Sequence, residues 1–308
     1  MTDSPGARKK RYDAMNLAVV SLQVAGWALL ISLLHRDLFF PLKAGVLLVF
    51  CLMMQGVFSM IHEAIHKLAH SNGAVNYGIG VVAALIFGTS FTLFEVNHEG
   101  HHVRNRTRPE LVDFILPGES RAKKTLVYYF GIVGGIWLGG FIGSILLPFI
   151  PFRFRNWLSW NREDNTFTTA VTQFKQEDWR RLRLELLFGV FFWTVAIRLF
   201  DWHWQVLLTA YLCFAFSWSS LQWVYHIGTP IHVVEGAYNL RLPTWIRWLF
   251  LNFNYNLTHH RDPLRPWQEL AAVSNPQETQ PLWYRYLRLF LWPQPLPEDV
   301  GAIRKTYF

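Results

Sequence analysis

Cysteine is nearly absent from this chain: its 308 residues include two, Cys51 and Cys213, both inside apolar stretches. That excludes a disulfide-stapled fold and leaves the thiols as small buried apolar side chains. Charge is scarce too, at 16% of residues against roughly a quarter in soluble domains. Acidic residues are the scarcer sign, 21 against 29 Lys and Arg, for a net charge of +8. There is no internal repeat and no low-complexity tract. In place of charge stand apolar and aromatic side chains: 52% hydrophobic, with 15 Trp and 25 Phe. That composition suits an integral membrane protein with aromatic belts at both interfaces. The Lys and Arg sit beside apolar spans, so they read as inside-facing loops touching anionic headgroups rather than as a nucleic-acid surface.

Residues 1–13 are polar and basic (Arg8, Lys9, Lys10, Arg11) and are expected to be disordered. The apolar run after them is too long for the core of a signal peptide and lacks a clear cleavage site, so it reads as an uncleaved span. Ala14 to Leu34 matches the ~20 residues a helix needs to cross a bilayer. A polar turn at His35–Asp37 leads to a second span, Phe39 to Ile61, which runs into the motif HEAIH. From a cytoplasmic N-terminus, two crossings return the chain to the cytoplasm at His62.

The next apolar run, Tyr77 to Phe94, ends at a second motif, HEGHH. A single crossing would put the two motifs on opposite membrane faces, so the run is expected to be in-plane or re-entrant. The glycines at 73, 78, 80 and 88 permit the bend. The same parity test applies to Val127–Pro151, which precedes Arg153, Arg155, Arg162, Lys175, Arg180, Arg181 and Arg183. An in-plane helix or hairpin keeps those cations inside; a plain transmembrane helix is the competing reading. Leu184 to Phe200 and Gln205 to Tyr225 are the last two spans, joined by an outer turn at Asp201–Trp204. Residues 266–308 are expected to form an amphipathic segment on the inner surface. The expected fold class is thus all-α and integral to the membrane, with about four transmembrane helices, in-plane or re-entrant helices and a histidine-lined metal site. The body of that domain is residues 14–265.

The histidines carry the chemistry. Of 12 in the chain, His62, His66, His98, His101, His102, His226, His259 and His260 all reach the cytoplasmic face in this topology. Residues three and four apart share a helix face, so each motif can aim its imidazoles at one point. Eight imidazoles exceed the needs of one ion and suit two, with redox work favouring iron. His70 and His232 are lesser candidates. His35 and His203 fall in outer turns and are set aside.

HEAIH, HEGHH and NLTHH (Asn256 to His260) resemble the three histidine boxes of the membrane fatty acid desaturase and hydroxylase superfamily, which includes carotenoid ketolases and hydroxylases. The resemblance covers residues from about 40 to 265. It implies a four-span helical protein with a cytosolic non-haem diiron site, O2 as oxidant and a ferredoxin or cytochrome b5-type electron donor. It also implies a histidine near the inner end of the last span with an amide one turn earlier, which Gln222 and His226 match. The third box departs from the pattern: Asn256 stands where His or Gln is usual, an amide able to ligate weakly or hold a water. HEAIH also matches the zinc-protease pattern HExxH, but a zinc reading leaves the other boxes idle. Glu63 and Glu99 therefore read as carboxylates orienting ligand imidazoles, with Asp113 and Asp262 as further candidates. Arg104, Arg106, Arg108, Lys123 and Lys124 read either as a docking patch for an acidic donor or as membrane anchors.

The expected activity is O2-dependent oxidation of an unactivated C–H bond in a long-chain lipid, a fatty acyl desaturation. Lipid or carotenoid hydroxylation or ketolation, and a non-catalytic homologue with a degenerate third box, remain as alternatives.

Overall fold

The structure, a computed structural model, describes residues 5–158, 170–298, 300 and 303, so Arg162 lies outside the described residues. It is mostly helical. Helix α1 (Pro5–Leu34) and α2 (Phe40–Ile65) form one antiparallel pair, and α7 (Gln176–Phe200) and α8 (Trp204–His226) a second. The turns of the two pairs meet at one end of the molecule. There His35 Nε2 accepts the backbone N–H of His203 at 2.7 Å and the Trp202 indole donates to Ser32 at 3.2 Å. Just inside that end, Trp27 packs against Phe192, Trp193 and Trp202 and donates to the Tyr211 hydroxyl at 2.9 Å. Outward faces of these helices carry exposed Leu22, Leu29, Leu187, Phe191 and Leu212, as a lipid-facing surface does.

Between the pairs lie α3 (Gly73–Phe87) and α4 (Phe91–Arg104), bent 102° relative to each other. Each begins at a side-chain cap. Asn72 accepts from the amides of Ala74 and Val75, and Ser90 from that of Leu93. Gly88 ends α3 at φ 86°, a left-handed conformation that penalises a Cβ. The freed C-terminal carbonyls of α3 sit deep among the long helices, where no water could satisfy them. Aromatic donors do so instead: Trp193 to Leu85, Tyr211 to Ile86 and Trp137 to Phe87. The run is thus sharply bent between the two histidine motifs, by length and apolarity either a broken span or a re-entrant loop.

Helices α5 (Arg121–Phe130) and α6 (Ile136–Leu146) are joined by a π-helical turn at Gly131–Gly135. Both ends of this stretch lie toward the ends of α7 and α8 that face away from the turn at 201–204: Gly131 packs on Trp223, and the carbonyls of Pro148 and Ile150 accept from Arg183 and Trp179. Arg121–Phe149 is kinked at Gly134, and its 29 residues are by length and composition apolar enough to cross a membrane. Gly134 serves both the kink and close packing: it takes a φ of 124°, and a Cβ there would come within 3.2 Å of Ala215 on α8. Among the described residues, Lys9–Leu34 and Phe40–Ile65 also pass that length-and-apolarity test, and α3 with α4 would make a fourth if taken as one broken span.

One expectation at the ends changes. Helix α1 starts at Pro5, so residues 5–13 are helical rather than disordered. Partners far along the chain hold them: Asp13 accepts from Ser71, and Tyr12 donates to Glu269 at 3.2 Å. The region after residue 266 is folded onto the body. Tyr286 donates to Ser220 at 3.0 Å and Tyr128 to the Leu289 carbonyl at 2.8 Å. It also supplies one strand to each of two short parallel pairs, the small departures from an all-α fold. These are β1 (Phe114–Ile115) with β4 (Gln294–Pro295), and β2 (Asn239–Arg241) with β3 (Thr279–Pro281).

Candidate metal centre

The end of the molecule opposite the two turns collects the histidines. Asn16 of α1 lies there too, its amide on the carbonyls of Leu68 and Ala69 just past the first box. Helix α2 presents His62 and ends at His66, and α4 presents His98, His101 and His102. His226 closes α8. The third box lies on the short helix α9 (Asn256–Arg261). Buried Asn239 places that helix, accepting from the Thr258 amide at 3.1 Å and donating to its hydroxyl at 2.9 Å. The glycine inside HEGHH has a spatial reason: a Cβ at Gly100 would fall 1.8 Å from the guanidinium of Arg104, which is wholly buried.

The eight histidines predicted to converge do so, in two groups. His62, His66, His98, His102 and His259 form one and His101, His226 and His260 the other, each with its ligand-capable atoms within 4.8 Å of one another. The groups adjoin, the rings of His102 and His260 being 4.8 Å apart. His70 and His232 join neither; their Nδ1 atoms accept backbone amides of neighbouring residues.

In the larger group the Nε2 atoms face one another. His62 is 3.0 Å from His259, His259 3.1 Å from His102, His66 3.1 Å from His98, and His102 3.2 Å from His66 and 3.0 Å from His98. A neutral imidazole offers one N–H or one lone pair at Nε2. His102 therefore cannot satisfy three neighbours by hydrogen bonding. Lone pairs turned to a common point are what a cation requires. Protonation does not relieve the crowding. Burial pulls the His66 pKa down to about 4, and burial with neighbouring imidazoles pulls that of His259 well below the ordinary value.

The smaller group is arranged from behind. His101 Nδ1 is 2.5 Å from the Glu110 carboxylate and His226 Nδ1 is 2.9 Å from the Gly236 carbonyl. Each bond places the proton on Nδ1 and leaves the Nε2 lone pair free, the usual arrangement around a metal-ligating histidine. His260 Nε2 is buried without a partner, and so are Asn256 Oδ1 and Gln222 Nε2, one helical turn from His260 and His226. A buried polar atom left unpaired costs roughly 1–3 kcal/mol, and a metal ion or its bound water answers that cost. The donor set is all nitrogen and amide. Both cysteines are free and lie elsewhere, on α2 and α8 within the apolar body. The residues present therefore fit metal ions bound at histidine boxes.

The acidic residues are placed differently from expectation. Glu63 is buried with its carboxylate on the Trp267 amide at 3.3 Å, and Glu99 is exposed. Neither contacts a ring nitrogen. Asp113 is buried in an ion pair with Arg106 at 2.7 Å, and Asp262 pairs with Arg265 at 2.8 Å. Glu110, which had no helical spacing to betray it, is the carboxylate on a box histidine; it also holds Arg104 at 3.2 Å. Arg104 and Arg106 are both buried and engaged, so neither belongs to a surface patch.

Among curated proteins the chain finds no match. The pattern of the fatty acid desaturase family, however, matches residues 38–292, a stretch that holds every histidine of both groups, and the chain belongs to that family.

Proposed function

We propose that the two histidine groups hold two iron ions and that the protein is an O2-dependent membrane oxidoreductase, a fatty acyl desaturase, acting on an unactivated C–H bond of a long-chain lipid. The observation that carries this reading is the division of eight converging histidines into two adjoining groups inside a desaturase-family fold. When bound, such an iron pair supplies the redox chemistry with O2 that an unactivated C–H bond requires. The chain's own residues prepare the site. Glu110 and the Gly236 carbonyl fix the tautomers of His101 and His226. Burial keeps the third-box imidazoles neutral and ready to ligate. Phe253 packs edge-on and Phe58 tilted beside His62 within a larger aromatic cluster that includes Phe87, Phe94 and Trp218, an apolar wall that excludes water.

The basic N-terminus and the Lys and Arg around residues 153–183 support a cytoplasmic location for the histidine end. A ferredoxin or cytochrome b5-type protein would deliver electrons there. Metal analysis of the purified protein, with mass spectrometry of lipids from a host holding fatty acids and carotenoids, tests the proposal. The expected result is about two irons per chain and a new double bond in the acyl chains. One zinc and no iron would overturn it. Oxygenated carotenoids beside unchanged acyl chains would move the reaction to the hydroxylase and ketolase branch.

A further inference from the structure

The polar group hardest to explain by stability alone is Glu185. It lies on α7 within the apolar body, 6% exposed. It borders a cavity of about 540 Å³ walled by apolar residues such as Trp137, Phe141, Trp193 and Leu208. A carboxylate there is expensive unless its oxygens are fully used. They are. Oε2 accepts from the Ser90 hydroxyl at 2.5 Å and the Thr92 amide at 3.1 Å, and Oε1 from the Thr92 hydroxyl at 2.5 Å and the Tyr77 hydroxyl at 2.7 Å. Ser90 and Thr92 are the cap and second residue of α4. The carboxylate thus meets the first turn of the helix that carries the second histidine box, where unpaired amides and the helix dipole favour negative charge. A second tie from the same helix lies further along: Arg181 reaches Glu95 of α4 at 2.6 Å, and Glu95 also pairs with Lys67, the residue after His66.

We propose that Glu185 is the positioning residue of the second histidine box, setting the depth and rotation at which α4 presents His98, His101 and His102. The inference rests on the metal-site reading above. Tyr77 separates positioning from general support, because Tyr77→Phe removes a bond to the same carboxylate while keeping the ring that packs on Phe91 of α4. The test uses the full chain in lipid nanodiscs as wild type, Glu185→Gln, Thr92→Val and Tyr77→Phe. Hydrogen exchange at the amides of residues 92–96 is measured on metal-free protein. Iron retention against a chelator and the Mössbauer spectrum are measured on loaded protein. Glu185→Gln is expected to speed exchange in the first turn of α4 about tenfold, in line with loss of a helix cap, to weaken iron retention and to alter the spectrum. Thr92→Val shows the same changes to a smaller degree. Tyr77→Phe leaves all three near wild type. The proposal is overturned if Glu185→Gln and Thr92→Val keep wild-type exchange and spectrum, or if Tyr77→Phe changes them equally. Should Glu185→Gln not fold, Thr92→Val set against Tyr77→Phe decides. If the wild type takes up no iron, the metal reading fails, while exchange still reports on the cap.

Discussion

The two histidine groups meet the same requirement in different ways. The larger draws five imidazoles from α2, α4 and α9 and turns their Nε2 atoms to one point, each within about 3 Å of another. The smaller has three, from α4, α8 and α9, two of them steered from behind by Glu110 and Gly236. Near it lie the unpartnered amides of Asn256 and Gln222. The larger group has donors to spare. The smaller depends on the placement of each. A metal in the larger group should therefore tolerate losing one ligand, and a metal in the smaller should not.

Replacing one histidine in each group gives the most direct break of that contrast. His260→Ala leaves two imidazoles in its group and is expected to lose one of the two irons and to lower product formation at least ~100-fold, since even loss of a partner behind a ligand costs 10–100-fold in metal affinity or activity. His98→Ala leaves four and is expected to keep both irons with a smaller loss of activity. Iron per chain and product yield are measured on both variants. Equal loss of iron would erase the distinction between the groups.

A subtler probe leaves every histidine in place. Glu110→Gln keeps the shape of the side chain but removes the charge that makes His101 a stronger donor, and it weakens the bond to buried Arg104. Chelator competition is expected to show about 10–100-fold weaker retention of the metal in the smaller group, with the larger group unchanged. Asn256→Ala, which deletes an unpartnered amide near the same group, is expected to act there too and by less. An effect of either variant on the larger group alone would contradict the assignment.

How much of this was legible in sequence follows from the range of the interactions. Histidines in helical spacing declare themselves, because i, i+3 and i, i+4 neighbours share a face whatever the tertiary fold. Parity counting then brought the boxes together and called for the bent α3–α4 pair. Glu110 stayed hidden because it lies on a short 3-10 turn, where no periodicity ties it to His101. Arg104 and Arg106 read as surface cations because sequence cannot show that Glu110 and Asp113 are buried beside them. The glycines of residues 131–143 have two physical uses, turning and close packing. The structure shows both at Gly134, whose φ of 124° makes the kink and whose Cα lies against Ala215 of α8. Glu185 stands as a lone acid amid apolar residues, and its partners are 93 to 108 positions away.

Proton competition gives the smallest expected effect and tests whether both groups are kept as neutral imidazoles. In metal-free protein burial holds His66 to a pKa of about 4 and pulls His259 and His260 well down, all from an ordinary value near 6.5. Between pH 6.5 and 4 the unfolded chain binds protons at these positions and the folded chain does not. Folding stability therefore declines as pH falls through that window, by at most ~1.4 kcal/mol per pH unit for each such group. Thermal unfolding of the metal-free protein at pH 7, 6 and 5 should give a falling midpoint, and bound metal should raise the midpoint at each pH without removing the fall, because it too keeps protons off the nitrogens of the folded chain. Removing an imidazole from the crowded larger group, as in His66→Gln, should flatten the decline. A midpoint that rises on acidification would mean that these rings are charged in the folded protein and poorly suited to hold metal.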